Sequence, residues 1–209
     1  MFKSPDPRYR NPKKTALPKP ANPNSKAYSK KAQTTGDNTT RCCFINKDTN
    51  IQCKNLLGLY PQFCWLHTLK VNNLVIKKSQ ISGAGNGLFS GEYPFKKGDV
   101  IAQYGSSKNF VSENKLLQRC KKDTKKCMEY VFCDDEGLSK KHIEKYGENC
   151  WDGRDIRSTI ARFSNSAHGS RFKYNSEFDL IKGNPYLVAT RNIPPHSEIF
   201  TNYGDTYEF

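Results

Sequence analysis

Cys42, Cys53, Cys64 and His67 stand in a C-x10-C-x10-C-x2-H array within "RCCFINKDTNIQCKNLLGLYPQFCWLHT", residues 41–68. Thiolates and an imidazole suit Zn²⁺, which takes four such ligands in a tetrahedron. The close C-x2-H pair can put two ligands on one side of the ion, and Cys43 fits the spacing as first ligand as well as Cys42 does. Phe44, Tyr60, Phe63 and Trp65 sit beside the ligands and supply a miniature core. So short a segment cannot fold on apolar burial alone, and metal binding would provide the missing free energy. The competing reading is a set of buried free thiols. A closed four-ligand site is structural, with no open position for catalysis.

A second stretch, "ARFSNSAHGSRFKYNSEF" at 161–178, has the Ser, Gly and Asn of a surface loop. Yet rings recur through it at Phe163, Phe172, Tyr174 and Phe178. An Arg-Phe-x-Asn opens it and a second Asn follows ten residues later. A plain connector needs no such series of rings, so this segment is expected to hold something.

The elements that must position these groups are short. "NNLVIKKSQ", "DVIAQYG", "EYVFCDD", "PYLVATRNI" and "EIFTNYG" read as strands. Gly and Pro punctuate them at "SGAGNGL", "YPFKKGD", "KGNP" and "NIPPHSE". Only "SENKLLQRCKK" and "LSKKHIEKYG" read as helical. The pattern predicts a mainly β fold with a few short helices and excludes a doubly wound α/β fold. "SGAGNGLF" lacks the G-K-[ST] of a phosphate loop and has no clear helix after it, so alone it reads as a tight turn.

Residues 1–40 are rich in Pro, Lys, Asn, Ser and Thr, and they carry nine Lys/Arg against two Asp. This tail reads as disordered, and it carries half of the formal net charge of +14. A basic tail on a basic body points to DNA, chromatin or another polyanion; a solubilising extension is the alternative. Mean hydropathy is −0.80. No stretch has the length and apolarity of a membrane span or a secretory signal. An intracellular protein is expected, its eight Cys being thiols or metal ligands rather than disulfides. The expected division is a tail over 1–40, a Cys/His module over 41–68 and a β-rich domain over 69–209.

Four motifs within the last region stand in a telling order. "KSQISGAGNGLFSGEYPFKKGDVIAQYG" resembles the opening of a SET domain, the lysine methyltransferase fold, with its Gly-x-Gly loop, Gly-Asp-x-Ile strand and Tyr-Gly. "EYVF" resembles that family's central Tyr-bearing strand, "WDGRDIRSTIARFSN" its approach to Arg-Phe-x-Asn, and "EIFTNYG" its closing segment. The match runs from about Leu74 to Tyr203 and is most similar to the compact SET proteins of large DNA viruses. The Cys/His segment likewise resembles small modules that recur in giant-virus and fungal proteins.

The resemblance implies small β-sheets around a pseudoknot, in which the Arg-Phe-x-Asn segment and the closing strand thread together. It implies S-adenosyl-L-methionine as cofactor and a protein lysine as acceptor, a histone tail by analogy, in the host nucleus or a viral factory. Tyr203 falls at the family's catalytic Tyr, Tyr130 at a second channel wall, and Tyr104 on the substrate side. Cofactor contacts fall on Gly85, Asn86 and Gly87 of the glycine loop and on Arg162, Phe163, Asn165, Ser166 and Tyr203, with Tyr207 and Phe209 beyond them. Arg162 either steadies the pseudoknot or reaches the cofactor carboxylate. Asn175 matches a later Pro-Asn pair. Ser166 stands where the family has His, and the usual zinc-binding Cys of that segment is missing. No zinc cluster is expected after the domain; Tyr207 and Phe209 would serve as aromatic lids instead. Thr201 stands at the position that sets how many methyls are added. Two other readings remain: an inactive SET-like binding module, and a nucleic-acid-binding protein acting through the Cys/His module and tail.

Overall fold

The computed structural model describes residues 41–120, 128–135, 138–155 and 157–203. The basic tail, Tyr207 and Phe209 lie outside these residues. Within them, eight strands and three short helices are bounded, and no helix is long and apolar enough to cross a membrane.

Helix α1 (Trp65–Asn72) begins directly after Cys64 and ends at Asn73, whose left-handed φ of 55° lets its N–H return to Leu69 O. The helix runs through the expected module boundary at position 68. Leu66 and Val71 pack on a small core of Cys42, Leu57, Phe63 and Cys64. The Tyr60 hydroxyl accepts from Ile76 N–H at 3.1 Å, tying the Cys/His segment to the next element.

Strands β1 (Leu74–Lys78) and β2 (Asn86–Ser90) form an antiparallel hairpin around the glycine-rich loop. The sheet β3 (Val100–Gln103), β8 (Asn184–Ala189), β7 (Ser176–Ile181) carries the main core, where Leu88, Ile101, Phe132, Phe178, Leu187 and Ile199 meet. In β8, Pro185, Leu187 and Ala189 alternate inward, as the two-residue period of a strand requires. Lys182 and Gly183 turn β7 into β8 with φ of 53° and 73°. Two successive positive φ values are the requirement of the tightest hairpin turns.

The third sheet orders β4 (Phe110–Ser112), β6 (Asn149–Asp152) and β5 (Val131–Asp134) around a separate core of Val111, Leu116, Val131, Cys133 and Cys150. The two expected helices appear as α2 (Glu113–Arg119) and α3 (Lys140–Tyr146). Ser139 caps α3 by accepting from His142 N–H.

Here one expectation fails. Cys133 and Cys150 are joined by a disulfide rather than being thiols or metal ligands. They face each other across β5 and β6 in antiparallel register, which sets the two side chains close enough for their sulfurs to bond. Cys120, in the same core, is also disulfide-bonded.

The closing segment departs from the expected strand. Phe200 and Thr201 make isolated parallel bridges, Asn165↔Phe200 on one side and Ser176↔Thr201 on the other. Thr201 N–H donates to Asn165 O, while Asn175 N–H and Ser176 N–H both donate to Phe200 O, each at 3.0 Å. The segment thus passes between two stretches of the 161–178 loop. Each stretch offers too few residues for a ladder, so side chains complete the pairing. Asn175 Oδ1 accepts from Phe200 N–H and its Nδ2 donates to Glu198 O, both at 2.8 Å.

Candidate functional site

The ring-rich loop holds the closing segment, and the site forms where the two meet the glycine loop. Gly87 shows how tightly. A β-carbon there would lie 2.1 Å from Glu198 Oε1 and 3.3 Å from Asn165 Nδ2, so only glycine fits. This glycine admits a neighbouring side chain; the expectation was main-chain approach to a ligand. Gly83 and Gly85 differ: their φ values are +83° and +72°, with open space around them, so conformation explains those two.

Glu198 is the residue that sequence reasoning missed. It is 2% exposed and accepts from Ser79 Oγ at 2.6 Å, Gln80 N–H at 2.7 Å and Asn165 Nδ2 at 3.3 Å. Its carboxylate therefore joins the loop before the glycines, Asn165 and the closing segment. The signal was present as a lone acid inside the apolar run "EIF". Asn165 Nδ2 also donates to Asn86 O at 3.0 Å. Both amide hydrogens are then committed, and Asn165 offers its Oδ1, an acceptor, to anything further.

Ser166 is buried, with its Oγ 3.3 Å from Tyr174 Oη and accepting from His168 N–H. It is absorbed into the loop's own bonding. The Phe163 ring belongs to the main core. Thr201 is fully buried and its hydroxyl donates to Ser176 O at 3.3 Å.

Three tyrosines and Arg162 gather beside this knot. The Tyr203 hydroxyl donates to Ser164 O, the carbonyl next to Asn165, and the Tyr203 ring packs on the main core. The Tyr104 hydroxyl donates to Tyr130 O, which also accepts from Gly153 N–H at 2.7 Å. Burial pushes the Tyr104 phenol well above its ordinary range, and the neighbouring Tyr203 adds to the shift, so it remains a neutral donor. The Arg162 guanidinium lies 4.2 Å from the centre of the Tyr130 ring. Its Nε is buried without a hydrogen-bond partner. A buried cationic N–H left unpaired is costly, so this position suits an added acceptor such as a carboxylate. Taken singly, the unpaired Arg162 Nε has the polarity to meet a carboxylate and Asn165 Oδ1 that to meet an ammonium.

The four expected metal ligands also converge. Ligand atoms of Cys42, Cys53, Cys64 and His67 all lie within 4.8 Å of one another. His67 Nδ1 is 3.3 Å from both Cys42 Sγ and Cys64 Sγ. The C-x2-H spacing explains this, because Cys64 precedes the first turn of α1 and His67 lies within it. Cys43 turns its sulfur toward Arg41 O instead, which leaves Cys42 as the converging thiol. Phe44 stacks on the His67 ring at 3.8 Å. Burial lowers the His67 pKa, keeping the imidazole neutral as a ligand must be. Burial raises Cys64, but the His67 N–H, Asn55 and the other thiols outweigh it and hold Cys64 below its ordinary value. Burial pushes Cys42 up to about 12.

A cavity of about 980 Å³ opens between the Cys/His segment and the third sheet. Of the expected catalytic residues, Tyr104 lines it.

The SET domain family model matches residues 85–204. A comparison with curated proteins finds no match. Among solved structures, "ctPRC2 in an autoinhibited conformation bound to S-adenosylmethionine" is similar at 19% identity with a TM-score of 0.47, over 66% of this chain and 16% of that one. The matched segment takes in the glycine loop, the Arg-Phe-x-Asn stretch and the closing segment, and the chain belongs to the SET domain family.

Proposed function

We propose that this chain transfers a methyl group from S-adenosyl-L-methionine to the side-chain amine of a protein lysine. The observation that carries the reading is the knot itself: Glu198 binds Asn165 and the glycine loop into one unit, with the Tyr203 hydroxyl one carbonyl away. Asn86 and Gly87 would hold the cofactor through main chain, Asn165 Oδ1 would accept from its ammonium, and Arg162 Nε would meet its carboxylate. When bound, the cofactor supplies a methyl on a positively charged sulfur.

The chain's own residues then have to deliver a neutral amine in line. Free lysine has a pKa of about 10.4, so roughly one in a few thousand is neutral at pH 7. A desolvated channel disfavours the ammonium and raises that fraction. No strong base is needed. Tyr203 would orient the amine through its hydroxyl, and Tyr130, braced by Arg162 and by Tyr104, would form the opposite wall. Thr201, small and with its hydroxyl donated to Ser176 O rather than to a water, would leave room for addition beyond one methyl.

Cys42, Cys53, Cys64 and His67 would hold one structural Zn²⁺, and the basic tail would contact DNA or chromatin. The acceptor is a lysine-bearing protein, with a histone tail the analogue-based choice. Calorimetric titration with S-adenosyl-L-methionine, followed by radiolabelled methyl transfer to histones and to the chain itself, tests the reading. Tight cofactor binding with label on lysine is expected. Binding without transfer to any protein would favour the inactive binding module.

A further inference from the structure

The 980 Å³ cavity has no occupant in the reading so far. Three cations line it, Lys108, Arg119 and Arg157. Among the described residues, none of the three has a side-chain hydrogen bond or ion pair. Arg119 exerts only a through-space pull on Asp152. Two carboxylates share the wall, but both are engaged. Asp152 is bound by the Arg154 guanidinium, with Nε 2.9 Å from Oδ1. Asp155 closes its own turn by accepting from Arg157 N–H at 2.9 Å. The cations therefore dominate the field inside the cavity. The rest of the wall mixes polar side chains, among them Gln62, Gln103 and Asn109, with the apolar Phe110 and Ile160.

We infer that this cavity takes an acidic segment of the acceptor protein, one that alternates carboxylate and apolar side chains beside the target lysine. The inference rests on the proposed methyl transfer, because Tyr104 joins the cavity to the tyrosine cluster. It replaces the histone tail chosen by analogy: lysines in acidic surroundings would be preferred to those of a basic tail. Carboxylates would meet the three cations, while apolar side chains cover Phe110 and Ile160. A nucleic-acid backbone could satisfy the cations but would leave Phe110 and Ile160 uncovered.

Fluorescence anisotropy with the full chain tests this. The probes are short labelled peptides with one central lysine, flanked by alternating Glu and Leu, by Gln and Leu, or by Lys and Leu. A single-stranded oligodeoxynucleotide is a fourth probe. The Glu peptide is expected to bind roughly tenfold more tightly than the Gln peptide at low salt, as three modest ion pairs would give. The Lys108→Gln/Arg119→Gln/Arg157→Gln variant should lose that advantage. A control variant, Lys96→Gln/Lys97→Gln/Lys140→Gln, should keep it, and Lys108→Gln alone should lower it partly. Equal loss in both triple variants would overturn the inference, as would preference for the Lys peptide. An oligonucleotide that depends on these three cations while the Glu peptide does not would also overturn it. Binding is read without turnover. Cation-dependent Glu-peptide binding with no methylation of any peptide would therefore contradict methyl transfer while leaving the acidic occupant in place.

Discussion

The Cys/His segment and the closing knot both bring distant residues together, by opposite means. In the first, four side chains from 26 residues converge, with a small apolar core behind them. In the second, segments from residue 79 to residue 201 meet, and main-chain groups with a few polar side chains hold them. A centre of thiolate and imidazole ligands would depend on the ion it holds. A hydrogen-bonded crossing depends on each partner being satisfied. The two should fail independently and under different treatments.

The largest effect separates them outright. Cys64→Ser, or a strong chelator, is expected to release one zinc per chain and unfold residues 41–63. Metal analysis and hydrogen exchange should show this loss with protection kept at 161–201. Loss of protection in both regions at once would mean that the knot leans on the metal.

The third sheet offers an intermediate case, closed by a covalent bond. Reducing Cys133–Cys150 opens a loop with a sequence separation of 17. A loop of this size is worth about 3 kcal/mol. Thermal melts of the Cys133→Ala/Cys150→Ala variant and the unaltered chain, both in non-reducing buffer, should differ accordingly, with zinc content unchanged.

Glu198→Gln attacks the knot by exchanging an acceptor for a donor that faces Gln80 N–H or Asn165 Nδ2. A cost of about 1.5–3 kcal/mol is expected, with weaker cofactor binding and intact zinc. Gly87→Ala should mimic it, because the new methyl displaces the same carboxylate. Denaturant melts alongside calorimetry would register both.

The smallest effect concerns Asp152. Burial raises its pKa, but the Arg154 guanidinium and N–H outweigh this and hold the carboxyl below its usual range. A depressed folded pKa makes the pair's contribution complete above about pH 4 and lost as pH falls through the folded value. Asp152→Asn should remove that acid-side slope from a stability-against-pH curve.

These differences also explain what the sequence could reveal. The Cys/His array was legible because its ligands are local and chemically distinctive; the choice between Cys42 and Cys43 needed side-chain direction. Strands β1, β3, β5 and β8 were legible from apolar runs between turn residues. Strand β2 was hidden by glycines, and β4, β6 and β7 by brevity or polar positions. With β6 unseen, nothing placed Cys150 opposite Cys133. The crossing at Asn165 and Asn175 came only from family resemblance, since parallel bridges between distant residues have no periodic signature. Glu198 escaped notice because its three partners lie at least 33 positions away in the chain.

The central claim is that the knot presents Tyr203 for methyl transfer, and Tyr203→Phe tests it most directly. The substitution keeps the ring against the core and removes one hydroxyl. Cofactor affinity by calorimetry should hardly change, while turnover by mass spectrometry of a methylated peptide should fall roughly a hundred- to a thousand-fold, equivalent to about 2.7–4 kcal/mol for one well-placed transition-state hydrogen bond, which the Tyr203 oxygen accepts from the amine. Near wild-type turnover with unchanged cofactor binding would remove Tyr203 from the reaction and contradict the account.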